Sequence, residues 1–168
     1  DLGYLCGTVL SGHFADHFGR KNVVYVPLLV GCVVEFLTGF SVSLEMFAAC
    51  KYFVGITLGF VIITAYPYLL EFSPPRWRPI HAGMPTFAIG ASLFAGAAYL
   101  IDDFVFLHVT GAVLFVPFLF GWFYFPESPR WLAVHGKLEM AQKAFEKIAR
   151  SNRKPLPPAT LALITKIA

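Results

Sequence analysis

Long apolar stretches separated by short polar segments dominate the chain. Five stretches contain at most one Asp, Glu, Lys or Arg each, and they are residues 2–14, 23–40, 46–70, 80–101 and 104–125. A bilayer core about 30 Å thick takes roughly 20 helical residues to cross. The last four stretches have that length, whereas the first is shorter than a full crossing. The pattern predicts a bundle of membrane-spanning helices.

The pattern changes in residues 126–168. Polar residues become frequent, and apolar side chains recur at helical spacing on one face, at Leu138, Ala141, Phe145 and Ile148. This spacing predicts an amphipathic helix over 137–150, followed by a Pro-rich turn at 151–158. The helix either braces the inner ends of the spans or lies at the lipid surface.

Composition agrees with a membrane environment. Hydrophobic residues make up 57% of the chain and charged residues 14%, whereas soluble domains average about 45–50% apolar residues even when Gly is counted. A soluble domain of this size could not bury so much apolar surface. We therefore expect an all-α membrane protein, with a transmembrane bundle at 1–125 and a cytoplasmic segment at 126–168.

Charge is distributed unequally between the two sets of loops. Segments 16–22, 71–79 and 126–168 contain all 13 Lys and Arg residues except Lys51, and the loops at 41–45 and 102–103 contain none. Cytoplasmic loops are enriched in Lys and Arg. The first set is therefore predicted to be cytoplasmic.

The chain lacks the sequence motifs typical of soluble enzymes. The chain has no Walker A, GxGxxG, HExxH, CxxC or GxSxG motif, and its five His are scattered without metal-ligand spacing. The basic residues follow the loops rather than one exposed patch. We expect no enzyme activity, no cofactor, no metal and no nucleic-acid partner.

Two charges lie inside predicted spans. Glu35 is six residues before Ser41, and Lys51 is six after Glu45, so both lie about 9 Å below the outer edge of the membrane. Intramembrane charges usually face the bundle interior and pair. We predict a Glu35–Lys51 ion pair or a shared cavity position, the alternative being an outward-reaching Lys51 beside a protonated Glu35.

Three groups of acidic and basic residues occur at the cytoplasmic ends of the spans. Asp16 and Arg20 form the first, Glu71 with two arginines the second, and Glu127 with Arg130 the third. Such groups can form an ion-pair latch that breaks when helices rock. They also fit simple retention of positive charge inside, with solvated carboxylates.

Two motifs resemble the major facilitator superfamily. Residues 12–21 (GHFADHFGRK) are similar to that superfamily's G-x-L-x-D-[RK]-x-G-R-[RK] loop between spans two and three, with Phe14 at the Leu position and His17 at a basic one. Residues 126–132 (PESPRWL) are similar to the end of span six in sugar porters and organic ion transporters.

Weaker stretches favour the organic cation/anion transporters (solute carrier family 22). Residues 51–55 (KYFVG) resemble their F-R-F-L-x-G entry to span four, with Lys51 at the Arg position. Residues 95–103 (AGAAYLIDD) resemble L-A-G-x-A-Y-x-I-R-D-W, where Asp102 replaces the basic residue and Phe104 the Trp.

The resemblance implies twelve spans in two halves, with this chain covering spans two to six and the start of the central cytoplasmic loop. It implies a substrate site near the midplane, alternating access by rocking, and an aromatic cavity residue at Tyr66, where ordinary packing is the alternative. The expected cytoplasmic gating network is Gly12, Asp16, Gly19, Arg20, Lys21, Glu71, Arg78, Glu127 and Arg130. Glu35, Lys51 and Tyr66 are the expected cavity residues.

The expected function is rocker-switch secondary transport of small, charged organic solutes across the plasma membrane. A sugar-porter-like transporter is one alternative. Another is a relative that does not transport and acts as a receptor or scaffold, because His17, Lys51 and Asp102 depart from the transporter motifs.

Overall fold

The computed structural model describes residues 1–73, 76, 78–79 and 86–151. Regular structure within these ranges is helical, which confirms the all-α expectation. The main helices are α1 Leu2–Phe18, α2 Arg20–Thr38, α3 Leu44–Phe72, α4 Thr86–Leu100, α5 Phe104–Leu119, α6 Gly121–Tyr124, α7 Pro129–Val134 and α8 Leu138–Ser151.

Three helical segments are long and apolar enough to cross a membrane. They are Arg20–Thr38, Leu44–Phe72 and Phe104–Tyr124, the last combining α5 with α6. Only 22, 11 and 11% of their most apolar windows are buried, so most of their apolar side chains face outward, as lipid contact requires. The first part of the predicted 80–101 span, residues 80–85, lies outside the described residues, as does the predicted turn beyond Ser151.

The connection between α1 and α2 is shorter than the sequence predicts. We expected a loop at 16–22, but α1 continues to Phe18 and α2 begins at Arg20. Gly19 alone makes the turn, with φ 93° and ψ 150°, a conformation open essentially to glycine only. Because glycine can adopt this conformation, the two helices are joined through a single residue.

The end of the last span also differs from the prediction. A single helix over 104–125 was expected, but α5 ends at Leu119 and α6 adds one turn. Pro117 lies inside α5 close to this break, where the Phe120 N–H donates to the Pro117 carbonyl at 3.2 Å in a tighter, three-residue turn. The short helix α7 was missed, although Ser128 and Pro129 form a recognisable helix start, with Ser128 Oγ accepting from Trp131 N at 3.1 Å.

Glycines allow α1 and α3 to pack backbone to backbone. A methyl group at Gly3 or Gly7 would overlap the carbonyl oxygen of Tyr52 or Ile56, and one at Gly59 would lie 2.6 Å from the Tyr4 oxygen. These are the small-xxx-small positions at which close helix contact is expected. At Gly96, by contrast, no heavy atom of the described residues lies within 4 Å of such a group.

The remaining helices complete a partial bundle. Helix α3 packs against α2 as well as α1, and α2 packs against α5. Helix α8 buries Ala141 and Ala144 against Leu132 and Ala133 of α7. Lys147 Nζ donates to the Phe123 carbonyl at 3.3 Å, which ties α8 to the inner end of the last span.

Candidate functional site

The carboxylate of Glu127 lies against the start of α2. Its Oε1 accepts from the backbone N–H of Lys21 at 2.9 Å and of Ser128 at 2.8 Å. Gly19, at the N-cap of α2, has no side chain with which to cap the helix. Glu127 therefore does so from 106 residues away, and its negative charge is favourable beside the helix N-terminus.

An ion pair joins α2 to α3 at the same end of the bundle. Arg20 Nη1 is 3.0 Å from Glu71 Oε1, and the two side chains are 25% and 12% exposed. The second carboxylate oxygen, Glu71 Oε2, is buried and has no hydrogen-bond partner within the described part of the chain. This oxygen can accept a further donor.

Hydrogen bonds from two aromatic side chains hold residues 126–131 to the bundle. Trp131 Nε1 donates to the Asp16 carbonyl at 2.8 Å, and the Tyr68 hydroxyl donates to the Pro126 carbonyl. Lys21 Nζ lies 4.6 Å from the centre of the Trp122 ring. Together with Glu127 and the ion pair, these contacts connect α1, α2, α3 and the segment after α6.

The structure brings together five of the nine predicted gating residues, namely Gly19, Arg20, Lys21, Glu71 and Glu127. The other four do not join them within the described residues. The Asp16 side chain is exposed and only its carbonyl is used, and Arg78 Nε donates to the Ser73 carbonyl at 3.4 Å. Arg130 is exposed, and Gly12 has no neighbour within 4 Å of an added methyl group.

The predicted Glu35–Lys51 ion pair is present near the other end of the bundle. Lys51 Nζ is 3.0 Å from Glu35 Oε1 and 3.1 Å from Oε2. The alternative, in which Lys51 reaches away from a protonated Glu35, is not the arrangement observed. A charge-assisted contact of this kind is how an intramembrane charge is commonly compensated.

His108 on α5 is a third member of this cluster, and sequence reasoning missed it. Its Nδ1 lies 2.7 Å from Glu35 Oε1, and its side chain is 9% exposed. His108 is five residues beyond Asp103, so its depth of roughly 7.5 Å resembles that of Glu35. The equal depth of His108 and Glu35 could have suggested a contact between them. Depth alone, however, does not tell which way a side chain faces around its helix.

An apolar cavity of about 250 Å³ adjoins the cluster. Glu35 and Lys51 provide its charged lining, and its apolar lining includes Leu28, Leu58, Phe94 and Phe115. Few polar groups in a mostly apolar pocket are typical of small-molecule sites. Tyr66 does not line this cavity, and its side chain is 44% exposed on α3.

The described helices form a partial bundle whose longer members are apolar enough to cross a membrane. The family model described as sugar (and other) transporter matches residues 1–165. The chain belongs to this transporter family, and it is similar to members of solute carrier family 22.

Two curated relatives and one solved structure are similar to this chain over most of its length. Human solute carrier family 22 member 13 is 31% identical over 161 residues, which is 93% of this chain and 29% of that protein. Mouse solute carrier family 22 member 20 is 32% identical, over 89% of this chain and 27% of that protein. The proton:xylose symporter XylE superposes with a TM-score of 0.83 at 19% identity, over 98% of this chain and 40% of that one.

The chain therefore spans less than a third of the length of these curated relatives. Membership of the family makes it a multi-pass membrane protein of a transporter family, whose members move small solutes.

Proposed function

We propose that the protein containing this chain is a secondary transporter of small organic ions that works by rocker-switch alternating access. The observation that carries the proposal is the network at the inner end of the bundle. Single polar contacts join pairs of elements there, such as the Arg20–Glu71 ion pair and the Glu127 cap on α2. Such contacts can break and re-form while the helices move as rigid bodies.

The remaining gating residues enter this proposal as partners for the rest of the transporter. The side chains of Asp16, Arg78 and Arg130 are exposed, so all three are available to other parts of a longer protein. Glu71 Oε2 has unused acceptor capacity. A rocking motion that closes the inner face would bring new donors to the carboxylates and new acceptors to the arginines.

The charge of the proposed substrate follows from the relatives and from the cavity. Two Drosophila relatives, each 30% identical, are an organic cation transporter-like protein and an organic cation transporter protein. In this chain, Glu35 and Lys51 provide charged groups of both signs at the edge of an apolar cavity. Segments 16–22, 71–79 and 126–168 are proposed to face the cytoplasm, and the membrane is proposed to be the plasma membrane.

Uptake by the full-length protein in proteoliposomes tests the proposal. The probes are radiolabelled benzyltrimethylammonium, a permanent cation, naphthalene-2-sulfonate, a permanent anion, and xylose. We expect saturable uptake of a charged probe but not of xylose. Replacing Glu71 by Gln should slow that uptake, whereas Arg150→Gln, an exposed change outside the network, should leave it unchanged.

Sugar transport is the second candidate, because the family description names sugars and XylE superposes on 98% of the chain. Uptake of xylose without either charged probe would favour it. Binding of a protein ligand to the outer face without uptake of any probe would instead support a receptor.

A further inference from the structure

Two basic side chains contact the carboxylate of Glu35, and they differ in how exposed and how tightly packed they are. Lys51 Nζ contacts both carboxylate oxygens, and its side chain is 37% exposed and lines the cavity. His108 Nδ1 contacts one oxygen at 2.7 Å and is buried. Its ring packs against Phe104, with ring centres 4.5 Å apart, and Phe47, at 6.2 Å. The lysine can therefore leave the carboxylate more easily than the histidine.

The charge balance of the cluster depends on the histidine. With a neutral imidazole, one carboxylate and one ammonium cancel. Histidine is the side chain that ordinarily changes charge between about pH 5 and 8. A proton added at Nε2 of His108 makes two cations compete for Glu35, in a part of the protein where an uncompensated charge is unfavourable.

Few other groups can take part in this competition. Helix α4 contains no charged residue, and Tyr99 there is exposed. Near this end of the packed helices, the other titratable groups are an exposed Glu45, an exposed Tyr52 and a half-buried Cys50 on α3, Cys32 lining the cavity on α2, and Asp103 at the start of α5, whose Oδ1 caps that helix by accepting from Phe106 N.

We propose that His108 is a proton-binding residue that replaces Lys51 as the counter-ion of Glu35. The released ammonium of Lys51 then binds the charged group of an organic monoanion, whose hydrocarbon body occupies the adjacent cavity. The proton enters at the imidazole, no covalent bond changes in the ligand, and the cluster with its bound anion is again neutral. This inference rests on the proposed transport of organic ions.

Proton and anion binding are then coupled. Because each ligand favours the state that the other stabilises, anion affinity rises as pH falls, with a limit of about tenfold per pH unit for one coupled proton. Since the cluster lies near the predicted outer face, external protons would promote loading from outside.

Binding of naphthalene-2-sulfonate to the purified full-length protein in nanodiscs tests this coupling. The charge of the probe does not change between about pH 5.5 and about pH 7.5, so any pH dependence comes from the protein. We expect binding about tenfold or more tighter at the lower pH. Benzyltrimethylammonium should show no such tightening.

Three variants separate the roles of the cluster. Asn in His108→Asn keeps an N–H donor near Nδ1 but cannot titrate, so binding should lose its pH dependence. Glu35→Gln frees Lys51 at every pH, so binding should be tight and independent of pH. Lys51→Gln should bind weakly throughout. His13→Asn is the matched control, because His13 is exposed on α1, and it should retain the wild-type pH response.

Equal wild-type affinity at both pH values would overturn the proposal. So would persistent pH dependence in Glu35→Gln, which tests the cluster even if His108→Asn does not fold. Absence of anion binding at either pH would also overturn it, while uptake of the cation would leave the transport function standing. Coupled binding without uptake of any probe would refute transport and keep the proton site.

Discussion

Gly19 is the residue on which the geometry of the inner end depends most directly. Its φ of 93° is unsuited to other residues, and an added methyl group would lie 2.5 Å from Glu127 Oε2. The same residue therefore turns the chain and leaves room for the carboxylate that caps α2.

Replacing Gly19 by Ala should destabilise the full-length protein by more than the backbone strain alone, which is about 1–3 kcal/mol. Displacement of Glu127 adds to that strain. Thermal unfolding in detergent would measure the loss. Gly136→Ala is the control, because Gly136 also has positive φ, 70°, but has no neighbour within 4 Å of an added methyl group. Equal losses in the two variants would contradict the role given to the Glu127 contact.

The Arg20–Glu71 ion pair is the second feature at this scale. We expect Arg20→Gln and Glu71→Gln each to reduce transport turnover by about tenfold, because each leaves a half-buried charge without its partner. The exchange Arg20→Glu with Glu71→Arg should restore part of the activity. Initial uptake rates of the single and double variants provide the measurement, and strictly additive losses would show that the two side chains act independently.

At the scale of the helices, the contact between α1 and α3 depends on the absence of side chains. The sequence shows glycines at four-residue spacing in both helices, a pattern common in membrane bundles. The structure pairs Gly3 and Gly7 with Tyr52 and Ile56, and Gly59 with Tyr4. The spacing alone did not distinguish these glycines from Gly96, which has an open environment in the described part.

Gly7→Ala and Gly59→Ala should therefore impair folding, because the added methyl groups meet backbone atoms that cannot move aside. Overpacking of this kind costs about 1–3 kcal/mol or more. Gly96→Ala should be tolerated. Fluorescence-detected size-exclusion chromatography would compare the monodisperse fractions, and a normal elution profile for Gly7→Ala would refute the close contact.

At the scale of the whole molecule, the charge asymmetry makes a prediction about sidedness. In a full-length variant from which the native cysteines have been removed, Val42→Cys should react with a membrane-impermeant maleimide on intact cells, since Val42 is 95% exposed in the predicted outer loop. Arg150→Cys should react only after permeabilisation. The opposite labelling pattern would invert the proposed orientation.

The sequence by itself predicts how deep each residue lies in the membrane and which side of the membrane each loop faces. Runs of apolar residues matched to the bilayer predicted the helices, basic residues predicted the cytoplasmic face, and equal depth on neighbouring spans predicted the Glu35–Lys51 pair. These inferences need only the distance of a residue along its own helix axis, or along the axis of the next helix in the chain. The family motifs then predicted that Gly19, Arg20 and Glu127 belong to one cytoplasmic network.

Only the tertiary structure decided which groups meet across distant parts of the chain. His108 joins Glu35 from 73 residues away, and Glu127 reaches the Lys21 amide from 106. Arg78 and Arg130, which the family resemblance placed in the same network, lie apart from it within the described residues. The physical reason is rotational. A sequence period gives the height of a side chain along its helix, but the neighbour it faces depends on how every helix in the bundle is turned and packed.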